Sequence, residues 1–218
     1  MSAYPVLLLD HDDTVVQSTP EIHYPSWVEI LSVLRPDYDC TPEEFARYNF
    51  NPGFFGYARD IMHFTDEEME YDLKVWSDWV RRITPHPYPG MAEIIRRHKA
   101  DGGIVCVSTH SHREFVERDY KAHIGLLPDA VYGLECGEDK VKPNPYAVEE
   151  IIRTYGVKKE EILMVDDMRP GYDMARRAGI PFCYAGWSAV LPEIQEFMRE
   201  NADFCCDTVE DLEKLLWE

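Results

Sequence analysis

Val6-Leu7-Leu8-Leu9 runs without a polar break into Asp10-His11-Asp12-Asp13-Thr14. An apolar run this short and without alternation predicts a strand covered on both faces, as in a parallel sheet. Open sheets of that kind bind ligands outside the carboxyl ends of their strands. This strand therefore delivers Asp10 and Asp12 to the ligand edge. Residues two apart in extended backbone point the same way. A carboxylate pair so placed suits a hard cation, or a nucleophile with an acid/base partner. Taken alone, it is equally an acidic, solvated turn.

The rest of the chain repeats the pattern. Residues 103–109 are a second apolar run, ending in Ser108-Thr109, and residues 161–165 another, ending in Asp166-Asp167. Shorter runs at 130–132, 181–184 and 202–205 predict further strands. Helical periods lie between them. They are Met91, Ile94, Ile95 and His98; residues 113–123; Ala147, Val148, Ile151, Ile152 and Tyr155; residues 171–179; and a last helix after Asp207. Strands alternating with helices predict a parallel α/β sheet with right-handed crossovers.

Residues 19–85 interrupt this alternation with helices alone. Trp27, Ile30, Leu31 and Leu34 fall on one helical face, and Met69, Leu73, Trp76, Val80 and Ile83 form a longer stripe. Thr41-Pro42-Glu43-Glu44 and Thr65-Asp66-Glu67-Glu68 carry the chemistry of helix N-termini. Joints at 17–20 and 85–90 flank the segment, the second bearing Pro85, Pro87 and Pro89. The expectation is an α/β core of residues 1–18 and 86–218 with an all-helical insertion at 19–85. Phe54, Phe55 and the other aromatics of the insertion are read as its own core rather than as ligand contacts.

In a parallel sheet Asp10, Asp12, Ser108 or Thr109, Asp166 and Asp167 share one edge, and Lys142 heads a helix beside them. Four close carboxylates require a counter-charge. Mg²⁺ suits two or three carboxylates that leave positions open for water and phosphate oxygens. A hydroxyl and an ammonium can meet the remaining oxygens of a phosphoryl group, whose transfer asks mainly for positioning and charge neutralisation. The net charge of −19, from 22 basic and 41 acidic residues, speaks against nucleic acid and anionic membranes as partners. A small phosphorylated substrate is compatible with it, because a local cation can hold one. Met1-Ser2-Ala3-Tyr4-Pro5 lacks a charged leader region, and no apolar stretch approaches the length of a membrane span. The six cysteines form no CxxC pair and are read as reduced thiols, which predicts a cytoplasmic protein. His110 and His112, one residue apart, are read as incidental rather than as zinc ligands.

Asp10-His11-Asp12-Asp13-Thr14, Val107-Ser108-Thr109, Lys142-Pro143-Asn144-Pro145 and Val165-Asp166-Asp167 with Gly171 stand in one order along the whole chain. Together they resemble the haloacid dehalogenase superfamily, in its phosphoglycolate phosphatase and beta-phosphoglucomutase branch. The resemblance implies a Rossmann-like core with an inserted helical cap. It also implies Mg²⁺-dependent hydrolysis of a small phosphorylated metabolite through an aspartyl-phosphate. Asp10 would attack phosphorus, and Asp12 would protonate the leaving oxygen and then activate water. Thr109, His110 and Lys142 would meet the phosphoryl group, with Ser108 the alternative hydroxyl. Asp10, Asp12 (through its backbone carbonyl), Asp166 and Asp167 would hold the metal. Position 13 is Asp where many relatives have Gly, and His110 stands where many have Asn. A phosphomutase of the same fold is the nearest alternative. It would need cap cations facing the site, drawn from Arg35, Arg47, Arg59, Lys74, Arg81 and Arg82. A catalytically silent binding protein is the alternative from another class. Dehalogenation and phosphonate hydrolysis are disfavoured, because neither needs Asp12. Specificity is expected in the loop 49–57 and in the joints.

Overall fold

The computed structural model describes residues 2–137, 139–188 and 191–218. Its strands are β1 Val6–Leu9, β2 Ile104–Ser108, β3 Ala130–Tyr132, β4 Ile162–Asp166, β5 Phe182–Ala185 and β6 Phe204–Cys206. They form one parallel sheet in the order β3-β2-β1-β4-β5-β6. β1 lies between β2 and β4, with Leu9 opposite both Val107 and Val165. The winding direction reverses beside β1, the place where such sheets open a crevice at their carboxyl edge.

After β1 the chain forms a loop and a π-helical turn, Thr19–His23, continuous with α1 Tyr24–Leu34. α2 Pro42–Phe50 and the single turn α3 Phe54–Gly56 follow, then a second π-helical turn, Tyr57–Ile61, and α4 Asp66–Arg82. The caps form as their residue types dictate. Thr41 Oγ1 accepts the Glu44 N–H, and Thr65 and Glu68 make a reciprocal capping box. Trp27 centres a core of aromatic contacts, 4.9 Å from the Tyr57 ring and 5.8 Å from the Phe54 ring. Phe54 thus packs inward, whereas Phe55 is exposed.

The stripe expected on α4 is realised only in part. Leu73 is 49% exposed, and Asp72 takes an inward place instead. The helix turns Val75 and Trp79 into the core of the insertion and Trp76 and Val80 toward Ile22 and Phe115, which leaves Leu73 beyond the edge of the buried face. The two joints run side by side. The Gln17 N–H donates to the His86 carbonyl at 2.8 Å, and the Tyr88 N–H to the Val15 carbonyl at 3.0 Å.

Helices cover both faces of the sheet. Leu7, Leu9, Val105, Val107, Leu163 and Val165 pack under α5 Met91–Ala100, α6 Arg113–His123 and α10 Val209–Trp217. Val6, Leu8, Cys106, Ile162 and Met164 pack under α7 Tyr146–Tyr155, α8 Arg169–Ala178 and α9 Pro192–Asn201. This two-sided burial is why β1 is apolar at every position. α9 has no sequence expectation of its own, since only Ile194 and Met198 along it are buried. Among the described residues, no helix is long and apolar enough to cross a membrane.

Candidate active site

The carboxyl ends of β1, β2 and β4 converge. Asp10 follows β1 directly, and its N–H donates to the Val165 carbonyl at 2.9 Å, so the strand ladder fixes its backbone. Lys142 arrives from the loop before α7 and is buried. Its Nζ lies 2.7 Å from Asp10 Oδ1 and 2.5 Å from Asp166 Oδ2. Asp166 Oδ1 also accepts the Met168 N–H at 2.7 Å. α8 can begin this close only because residue 171 is glycine: a Cβ there would lie 2.1 Å from Asp166 Oδ2. Thr14 Oγ1 donates to Asp167 Oδ1 at 3.3 Å.

Asp10, Asp166 and Asp167 each place a carboxylate oxygen within 4.8 Å of the others. Burial first, then the Asp166 charge, pushes the Asp10 and Asp167 carboxyls well above the usual carboxylate range. Burial opposes the charge of Lys142, but Asp10 and Asp166 outweigh it and raise the ammonium pKa. One ammonium among three carboxyl groups leaves the cluster short of positive charge. Its hard oxygen donors fit a divalent cation such as Mg²⁺.

Asp12 has different company. Its Oδ2 accepts from Ser111 Oγ at 2.8 Å and from Thr109 Oγ1 at 3.2 Å, and its Oδ1 lies 3.0 Å from His23 Nε2. Burial would raise this carboxyl, but the neighbouring His23 ring and its hydrogen bond, helped by Ser111, outweigh it and hold the group below the usual range. The indole N–H of Trp76 on α4 donates to His23 Nδ1 at 3.0 Å. That bond makes Nδ1 an acceptor, so the ring donates to Asp12 through Nε2.

Of the two candidate hydroxyls, Ser108 Oγ turns into the core toward Met174 Sδ, while Thr109 faces Asp12. The His110 ring donates through Nε2 to the Lys142 carbonyl at 2.8 Å. Asp13 adopts a left-handed backbone, φ 57°, which glycine takes freely and Asp tolerates, and its Oδ1 accepts the Thr19 N–H. Asp10, Asp12, Thr109, His110, Lys142, Asp166 and Asp167 thus gather at one sheet edge. Ser111, His23 and Trp76 join them without a sequence expectation. Ser111 lay within a visible hydroxyl-rich run, whereas His23 and Trp76 belong to helices of the insertion and carried no signal beyond apolar periodicity.

The haloacid dehalogenase-like hydrolase profile matches residues 4–179, which include every one of these positions. The chain belongs to that family. This haloacid dehalogenase-like hydrolase is 25% identical over 235 residues to the phosphoglycolate phosphatase of Mesorhizobium japonicum, with 97% of this chain and 96% of that protein covered. It is 29% identical over 129 residues to the pyrophosphatase PpaX of Halalkalibacterium halodurans, with 58% of each chain covered. Its fold is that of CbbY from Rhodobacter sphaeroides, solved as a variant with xylulose 1,5-bisphosphate. The TM-score is 0.72 at 19% identity, with 94% of each chain covered.

Proposed function

We propose that this hydrolase is a phosphatase that cleaves a small phosphorylated metabolite through an aspartyl-phosphate on Asp10. The observation that carries the reading is the division between two nearby carboxylates. Asp10 is set at the strand end beside Lys142 and two further carboxylates, whereas Asp12 is drawn aside by His23, Thr109 and Ser111. A nucleophile needs to be fixed in line with phosphorus. An acid/base group needs to reach the leaving oxygen and then water.

Lys142 neutralises charge on the transferring group, and His110 holds Lys142 in place through its backbone carbonyl. Thr109 donates to a phosphoryl oxygen once substrate takes its hydroxyl from Asp12. His23 orients Asp12. Mg²⁺, held by Asp10, Asp166, Asp167 and the Asp12 carbonyl, would supply charge neutralisation for the phosphoryl oxygens.

The insertion at 19–85 acts as the cap, and its cations support a phosphatase over a mutase. Arg35 is bound to Glu68, Arg47 to Glu193, Arg59 to Asp66 and Arg81 to Asp78, while Arg82 donates to the Asp78 carbonyl. Lys74 is exposed, two residues from Trp76 and so on the opposite side of α4. None of the six offers itself to a second phosphate.

Turnover of p-nitrophenyl phosphate with Mg²⁺ tests the reading. The expected result is hydrolysis that EDTA abolishes and Mg²⁺ restores. Undiminished hydrolysis by metal-free enzyme would overturn the metal assignment, and no hydrolysis of any phosphate ester would overturn the phosphatase.

A further inference from the structure

His11 lies between the two carboxylates that divide the chemistry, and it is tied at both ends of the residue. Its carbonyl accepts the N–H groups of Val15 at 2.9 Å and Val16 at 3.1 Å, which closes the loop after β1. Its ring is buried and lies, through Nε2, 3.0 Å from Asp119 Oδ2 on α6. A carboxylate only accepts, so the ring donates there. The other oxygen of Asp119 takes the Arg118 Nε–H at 2.7 Å. Arg118 Nη1 donates to the carbonyl of Val80, near the end of α4 in the cap. The Arg118 guanidinium also lies over the Phe115 ring at 5.5 Å, and Phe115 packs with Val80 and Ile22.

The loop and the core helix therefore meet at one buried carboxylate, and Arg118 links that carboxylate to the cap helix. We propose that His11, Asp119 and Arg118 form a positioning relay that makes the placement of Asp12 depend on the seating of the cap. None of the three touches the reacting atoms. His11 holds the peptide that carries Asp12, Asp119 holds His11, and Arg118 ties Asp119 to the cap. When the cap leaves its seat, the Arg118–Val80 bond is lost and the anchor of the loop loosens with it. The relay rests on the proposed acid role of Asp12.

Leaving-group dependence tests it. General acid help matters for a poor leaving group, such as an alkyl phosphate, and little for 2,4-dinitrophenyl phosphate. The ratio kcat/KM reports the transfer step alone, before the aspartyl-phosphate meets water. Asp12→Asn serves as the reference and should lose far more on the alkyl ester than on the dinitrophenyl ester. His11→Phe and Asp119→Asn should show the same asymmetry in smaller measure, about 10-fold on the alkyl ester and under about 3-fold on the other, a fraction of full acid catalysis. His11→Gln, which keeps a donor, should recover most of the loss. Arg118→Met changes a partly exposed side chain and so tests the cap end of the relay in a folded protein. Combined with His11→Phe, it should lose no more than His11→Phe alone.

Equal losses on both esters in the His11 and Asp119 variants would overturn the relay, since a merely loosened core slows both. Losses that simply add in the double variant would overturn the link to the cap. A flat response in Asp12→Asn would instead overturn the acid role on which the relay stands.

Discussion

Asp10 and Asp12 are two residues apart and live in different surroundings. The ladder and Lys142 fix the first, while His23, Thr109 and Ser111 hold the second. Removing one should therefore not resemble removing the other. Asp12→Asn is expected to lose about 10²–10⁴-fold, the range of general acid/base help, and to keep a slow residual transfer. Asp10→Asn removes the covalent step and should fall to background. Steady-state rates on p-nitrophenyl phosphate check this, and equal losses would contradict it. The carboxylates and Thr109 were legible in the sequence because strand ends announce themselves as apolar runs that stop, and Lys142 because Pro143 and Pro145 mark the start of a helix after it. Between Ser108 and Thr109, a single step of the pleat turns one hydroxyl into the core and the next onto Asp12. His23 and Trp76 were not legible as site residues. Only the folded insertion brings a histidine at residue 23 and an indole at residue 76 within 3.0 Å of each other.

Among the elements, α4 shows where periodicity misleads. A stripe that counts apolar residues places Leu73 inward, yet the buried position is Asp72. Among the described residues, no hydrogen bond or ion pair meets its carboxylate, and burial pushes its pKa up to about 7. The consequence for stability has a definite sign. A carboxyl whose folded pKa is raised favours the folded state fully below its unfolded pKa, near 4, and loses that advantage as pH rises through about 7. Asp72→Asn should therefore stabilise the protein at pH 8 by up to about 4 kcal/mol relative to its effect below pH 4, at ~1.4 kcal/mol per pKa unit. Thermal unfolding of both proteins across that range measures it. A difference in Tm that stays constant with pH would contradict the burial argument. α9 shows the opposite limit: two buried side chains in ten residues give a helix too little period to be seen.

At the scale of the molecule, the order of strands and helices, α9 apart, was legible because the alternation of apolar runs and helical periods dictates it. The seating of the helical insertion was not, since it depends on contacts between distant segments. Arg47 meets Glu193 at 2.9 Å, the Phe50 and Phe197 rings lie 5.4 Å apart, and Arg118 reaches the Val80 carbonyl. The first of these pairs is exposed and worth little, about 1 kcal/mol or less. The paired joints at Gln17 and His86 offer an axis for rotation. Binding of a phosphoryl analogue such as beryllium trifluoride should therefore draw the cap inward and narrow the X-ray scattering distance distribution, as lids do. Identical curves with and without the analogue would speak against a moving cap. The central claim is chemical, and acid-quenched mass spectrometry reaches it directly. Asp12→Asn mixed with 2,4-dinitrophenyl phosphate and Mg²⁺ should accumulate one phosphoryl group on the peptide that contains Asp10, with fragmentation placing it on that residue. Phosphate on the side chain at position 12, or turnover of the ester with no phosphorylated peptide at any quench time, would contradict the account.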